Sequence, residues 1–309
     1  MGQIDAVATT TNGVISAGTT RQRRRISPGA CLLLTPTLFL FLFFFILPLA
    51  VVTLISVLTG NPIADPDVAF TARNYINLFG DIYYFEVLLV TLRIGLYTVP
   101  ACLLIGYPLA LQMARMRSKT LRTLMLMAVL SPMLIGIVIR TYAWMTLLSD
   151  RGVINSTLTG WGFIEKPLHL MYNEFGICLS LVHILTPFMV LTLTGVIGGI
   201  DLSLEEAARN LGASKVRTFL EVTLPLSLPG ILGGSLLVFA LSISAYVTPI
   251  LMGGFSVITL PILIYQQICG VFNFGFGATL GLILLVVSLV IVILYNRVMS
   301  RMARGVGVV

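Results

Sequence analysis

Charge is scarce in this chain. Acidic and basic residues make up 10% of its 309 positions, against about a quarter in soluble globular proteins. None lies between Arg25 and Asp65, and none between Glu221 and Arg297. Cysteine is also sparse. Cys31, Cys102, Cys178 and Cys269 lie far apart with no C-x-x-C pair, which excludes a disulfide framework or a clustered zinc site and leaves ordinary packing among apolar neighbours. The two histidines, His169 and His183, stand alone. There is no G-x-x-x-x-G-K-[ST] loop, no H-E-x-x-H and no converging Ser, His and Asp set. The chain is therefore expected to have no catalytic residues, to bind no metal or cofactor, and not to hydrolyse ATP itself.

Apolar residues take up the space that charge leaves, at 57% with a mean hydropathy of +1.01. A bilayer core about 30 Å thick needs roughly 20 apolar residues per crossing helix, so a chain of this length holds about five to seven spans. Residues 1–28 read as a disordered tail, rich in Thr, Gly, Ser and Ala without apolar periodicity. The 39 uncharged residues from Ile26 to Ala64, with an apolar core from Leu32 to Leu58, exceed the apolar region of a cleavable signal and read as a retained first span. Further spans are expected near 87–112, 123–148, 175–200, 229–252 and 276–296, separated by charged or turn-forming residues. The resulting fold class is an all-α integral membrane protein with six transmembrane helices. Its membrane domain covers 29–300, and 301–309 form a second tail. The apolar stretch 256–274 raises a seventh span, but Pro261, Gln266, Gln267 and Asn273 favour a short helix lying at the surface or dipping in.

Lys and Arg settle the count at six. With the amino terminus in the cytoplasm, four precede the first span, four lie in 113–122, three in 201–228 and three at the carboxyl end; only Arg73, Arg151 and Lys166 fall outside. Both termini are thus expected in the cytoplasm. The net charge of +7 follows this topology rather than a nucleic-acid face, so no nucleic acid is expected as a partner; membrane lipid is.

The segment from Asp201 to Pro229 is the one inward loop with internal design. Ser203 and Glu206 have the S-x-x-E spacing of a capping box. Gly212 supplies a left-handed residue to end a first short helix, Ser214 can cap a second, and Pro225 is expected to stop that second helix before the fifth span. Small Ala207 and Ala208 allow close approach of another protein.

Glu206-Ala207-Ala208, then Gly212, then Leu224-Pro225 resemble the EAA signature of permeases of binding-protein-dependent importers, with Val222 where isoleucine is usual. Arg140-Thr141-Tyr142-Ala143-Trp144, Gly152 to Asn155, Ala245 to Gly254 and Asn74-Tyr75 look like the spermidine and putrescine branch. The chain departs from that branch at Ala245, which is acidic in some members. The resemblance implies a type I ABC importer permease in the bacterial cytoplasmic (inner) membrane, with the 201–228 loop docked on an ATPase. It implies two cytoplasmic ATPase subunits that hold ATP and Mg, a second and related permease subunit, and a soluble substrate-binding protein. The implied coupling residues are Ser203, Glu206, Ala207, Ala208, Gly212, Leu224 and Pro225. The cargo that the resemblance implies is a polyamine or another small organic solute, such as an amino-acid derivative or an opine-like compound.

Two charges lie inside spans. Arg93 and Arg140 are each about 10 to 12 Å deep at 1.5 Å per residue, where a lipid-facing charge costs about 2.5 kcal/mol or more. Each therefore lines a wet pathway, or bonds free carbonyls at a broken helix, or pairs with Glu86, Asp81 or Asp150. Tyr142, Trp144, Ser244, Tyr246 and Thr248 complete the candidate pathway set, with a break near Pro249 needed to align the last three. Trp161 joins Tyr142 and Trp144 in an aromatic belt. His183 fits a helix-to-helix hydrogen bond better than a proton relay. No carboxylate lies deep in a span, as a self-contained secondary transporter or channel would need.

Overall fold

The computed structural model describes residues 28–59 and 68–305, with side chains placed for 35–59 and 68–297. The expected tail 1–28, with its Arg21 to Arg25 cluster, lies outside the described residues apart from Pro28. So do Asp65 and Asp67 of the first outer loop. All regular structure among the described residues is helical. The chain falls into two units, 1–50 and 51–309.

The first contains α1, Pro28–Phe41, followed by a wide π turn over Leu42–Ile46. The helix continues as α2, Leu47–Ser56, and its described apolar stretch Thr35–Ser56 is long enough to cross a bilayer.

In the second unit, α3 (Arg73–Gly80) leads into α4 (Ile82–Arg115), whose Asp81 cap accepts from the Tyr83 amide at 2.9 Å. Then come α5 (Lys119–Leu130), α6 (Ile137–Leu148), α7 (Val153–Gly160) and α8 (Glu174–Gly198). The remainder is α9 (Leu202–Asn210), α10 (Lys215–Thr218), α11 (Leu224–Ile243), α12 (Val247–Gly253), α13 (Leu260–Tyr265) and α14 (Phe274–Gly305), which overruns the expected boundary at 300.

Helices α4, α8 and α11 form the core, around Ile94, Cys102, Ile177, Leu181, Met189 and Leu193. Lipid offers no hydrophobic drive between helices, so packing depends on close approach of backbones. Gly106 of α4 and Gly234 of α11 both meet Met189 of α8: an added Cβ would lie 3.0 Å from its Cγ at Gly106 and 2.6 Å from its Sδ at Gly234. Replacing Gly234 with leucine should wedge α11 off α8. A fall in thermal stability of about 1–3 kcal/mol is the expected result, and replacing Met189 with alanine in the same chain should restore part of it.

A second cluster joins Leu78, Val87, Leu260, Leu263, Phe276 and Leu280. It places α13 inside the bundle, with Leu260 and Ile262 buried and the Leu260 amide donating to Thr91 Oγ1 at 2.8 Å. The alternative of a helix lying at the surface is thereby corrected. Asn74-Tyr75 works as a clasp: Asn74 Nδ2 donates to the carbonyls of Ser56 (2.9 Å) and Leu58 (3.0 Å), and the Tyr75 hydroxyl lies 2.8 Å from Ser56 Oγ.

Among the described residues, five helices are long and apolar enough to cross a membrane, or six if one broken pair counts as a single span. The expected straight span at 123–148 is that pair. Lys119–Leu134 and Ile137–Gly160 meet at 92°, because Pro132 closes a tight 3-10 turn and the chain is extended at Ile135 and Gly136. The depth inferred for Arg140 from a straight helix does not hold. The fifth span is also shifted, running without a stop from Lys215 to Ile243. Its break falls at Ser244 to Tyr246, ahead of Pro249.

Candidate functional site

The 201–228 segment folds as a short helix, a left-handed turn and a second helix. Asp201, not Ser203, is the first cap: its Oδ1 accepts from the Ser203 amide at 2.9 Å. The aspartate lies one residue outside the helix, where its short side chain reaches a free amide of the first turn, so Ser203 falls inside the helix and the expected capping box is not formed. That amide holds the Asp201 carboxyl below the usual carboxylate range. Because the folded value lies under the unfolded one, the stabilisation is present above the ordinary carboxylate range and is lost as pH falls through the folded value. Protection of the 202–210 amides, measured against the intrinsic exchange rate at each pH, should therefore fall on acidification in the native chain. In Asp201→Asn, which keeps a capping oxygen without the charge, it should lose that acid dependence.

Gly212, at φ +88°, ends α9 as expected. Its amide donates to the Arg209 carbonyl at 2.9 Å, and the Ala213 amide donates to the Ala208 carbonyl at 3.1 Å. These are the paired bonds of a Schellman turn. Ser214 Oγ accepts from the Arg217 amide at 3.3 Å and caps the next helix. Pro225 does not stop that helix. A π turn over Phe219–Thr223 precedes it, with the Leu224 amide donating to the Phe219 carbonyl, and this widened turn lets the helix continue past the missing proline amide.

Glu206 and Ala207 are exposed and Ala208 is half-buried, while Leu224 and Pro225 are half-buried at the base of the fifth span. Leu211 is 91% exposed beside Gly212, and Leu204 and Val216 are also exposed. Apolar side chains on so polar a loop suit a protein partner.

Sequence reasoning missed the group that anchors this loop. Glu205, only 9% exposed, receives Arg115 Nη2 at the end of α4 and the Thr223 hydroxyl at 3.0 Å, with Arg209 Nη2 3.8 Å from its other oxygen. Arg115 Nη1 also donates to the Ile200 carbonyl at 3.2 Å. One carboxylate thus ties α9 to the ends of the second and fifth spans. The signal was the doubled Glu205-Glu206: neighbours on a helix point about 100° apart, so one of the two faces inward. The sequence alone does not say which.

The pathway candidates separate. Arg93 pairs with Glu174 at the start of α8, not with Glu86, Asp81 or Asp150, because the 174 carboxylate sits beside it across the helix pair. Arg140 has no acidic partner among the described residues, and its Nε and Nη1 are buried without a hydrogen bond. Trp144 lies edge-on to His183 with ring centroids 5.6 Å apart. These two line a cavity of about 420 Å³ together with Arg140, Ala143 and Pro132. Tyr142 is exposed outside it. Thr248 is buried, with its Oγ1 3.3 Å from Thr141 Oγ1. Tyr246 packs on Tyr265 at 4.7 Å, and Ser244 Oγ donates to the Ala240 carbonyl at 2.9 Å.

Residues 102–304 match the family model described as the binding-protein-dependent transport system inner membrane component. The chain belongs to that family. Among relatives in the family, the spermidine/putrescine transport system permease protein PotB of Escherichia coli (strain K12) is 35% identical over 254 residues, spanning 82% of this chain and 92% of its own. PotB of Haemophilus influenzae is 33% identical over 265 residues, spanning 86% and 92%. The inner membrane ABC transporter permease protein YdcU of Escherichia coli (strain K12) is 31% identical over 194 residues, covering 59% of this chain and 62% of its own. A chain of the bacterial ABC transporter that imports the polysaccharide alginate superposes with a TM-score of 0.70 at 21% identity, covering 87% of this chain and 94% of that one. The likeness shows the fold. The chain is thus a multi-pass inner-membrane permease component of an ABC importer, a transport subunit and not an enzyme. The family match contains the whole 201–228 loop and the Glu205 anchor.

Proposed function

We propose that this chain is a permease subunit of an ATP-driven importer for a polyamine-like solute, spermidine or putrescine, handed over by a soluble binding protein. The identity to PotB proteins along four-fifths of the chain carries this reading. Two cytoplasmic ATPase subunits hold ATP and Mg, a second and related permease completes the path, and both termini lie in the cytoplasm. The 201–225 lever, with Glu206, Ala207, Ala208 and exposed Leu211 on its outer face, docks on one ATPase subunit, and the Glu205 anchor passes movement to the second and fifth spans. ATP binding favours the outward-facing state and hydrolysis resets it, which requires ATP and the loaded binding protein to prefer one state over the other.

The test is the cargo of the cognate binding protein. Thermal-shift titration against spermidine, putrescine, amino-acid derivatives and opine-like compounds should give its largest stabilisation with a polyamine, followed by ATP-dependent uptake of that compound into vesicles holding the full complex. No polyamine response would sink the substrate assignment.

A second reading is favoured by one observation. The Arg140 guanidinium, which has no acidic partner among the described residues and shares a cavity with His183, fits a solute bearing a carboxylate, as does Ala245 where an acid would suit a polycation. In that case the same titration selects an amino-acid derivative or opine-like compound.

A further inference from the structure

A second cavity, about 310 Å³, lies where the second span ends and the helix of the fifth begins. Arg115, Arg209, Lys215, Thr218, Phe219 and Glu205 are among its walls. Three cations against one carboxylate leave it positive, since Glu205 is already engaged by Arg115 and Thr223. Two polar atoms at this cavity have no partner. Arg115 Nε is buried and unbonded, and so is the hydroxyl of Thr218, a residue only 2% exposed. A buried hydroxyl without a bond is unfavourable in a folded chain; the Thr218 oxygen is enclosed, so a turn of its side chain about χ1 is what would bring it to an anionic acceptor in the cavity.

Its depth selects the class of acceptor. Leu111 and Gln112 on one wall are the last turns of a membrane-crossing helix, and Lys215 opens the other. The cavity therefore sits where apolar spans give way to charge, which in a membrane is the end of the bundle nearest the headgroups. Basic pockets between spans at that level suit phosphate-bearing headgroups, and lysine and arginine there gain from the negative surface of anionic lipid. We propose that this pocket binds the phosphate of an anionic phospholipid, with Lys215 and Arg209 as charge partners and Thr218 as a hydroxyl donor. The bound lipid bridges the lever to the second and fifth spans beside the Glu205 anchor, so the lever's rigidity depends on the surrounding lipid.

The experiment is native mass spectrometry of the assembled complex released from detergent, with phosphatidylglycerol and phosphatidylcholine of matched acyl chains as probes. Phosphatidylglycerol should be retained, and its affinity should fall about tenfold in Lys215→Gln and in Thr218→Val, about 1.4 kcal/mol each. Thr218→Val keeps the buried volume, and circular dichroism confirms that helix content is unchanged. Millimolar inorganic phosphate should leave the lipid in place; displacement by it would assign the site to a soluble ion and overturn the lipid assignment. Equal retention of the two lipids, or equal retention by native and variant chains, would also overturn it. So would binding seen only after the ATPase is stripped away, because the pocket would then belong to an acidic side chain of that partner.

Discussion

Replacing Glu205 with alanine should cost more stability than any other single change in the 201–228 loop. The carboxylate is the one acceptor that satisfies Arg115 and Thr223 together, and removing one member of a largely buried ion pair costs about 3 kcal/mol because the other charge is left uncompensated. Scanning calorimetry of the purified complex should show a lowered Tm, and transport should fall with it because the lever is no longer tied to the second span. Glu205→Gln should recover part of the loss by keeping a hydrogen-bond acceptor without the charge. Arg115→Met should be comparably harmful alone, whereas the double variant Glu205→Leu and Arg115→Met should be less destabilised than the two single effects summed. Additive effects in that cycle would mean that the pair is not an anchor. The neighbouring Glu206 provides the internal contrast. It is exposed, so Glu206→Gln should leave the Tm unchanged while weakening retention of the ATPase subunit.

Gly212→Val should uncouple the complex without disturbing the core. The residue holds φ +88°, and nothing lies within 4 Å of where a Cβ would stand, so the cost is in the backbone alone. A side chain in the left-handed region costs about 1–2 kcal/mol, which corresponds to about a tenfold loss of the docked geometry. Co-purification of the ATPase subunit and ATP-dependent uptake should both fall by about that factor, while the Tm of the membrane core stays within a degree or so of the native value. Asparagine tolerates the left-handed region, so Gly212→Asn should retain most of the activity. If valine and asparagine behave alike, the turn does not set the lever's angle.

Much of the candidate site was legible before any coordinates, for a physical reason. The left-handed turn at Gly212 and the Ser214 cap depend on neighbours within four residues, so their signals are local and survive in the one-dimensional string. The first cap was misplaced by two residues because Asp201 and Ser203 are both good caps, and only the entry path of the chain decides which one meets a free amide. Pro225 misled for a related reason. Proline forbids one hydrogen bond, but a π turn ahead of it removes the need for that bond. The broken third span was hidden because Pro132 and Gly136 sit in an apolar stretch whose average hydropathy is indistinguishable from that of a straight helix.

What the residues determined by themselves was the membrane class, the approximate number of spans and the design of the 201–228 loop, because hydropathy, charge placement and capping act locally or by count. Tertiary structure alone decided the partners of the charged groups. Glu205 reaches an arginine 90 positions earlier, and Arg93 a glutamate 81 positions later. Such pairings follow from which helices pack side by side, and the close contacts of Gly106 and Gly234 with Met189 fix that arrangement at a distance no local pattern encodes. Among the described residues Arg140 has no acidic partner, and it lines a cavity with His183 just after the 92° bend of its helix pair.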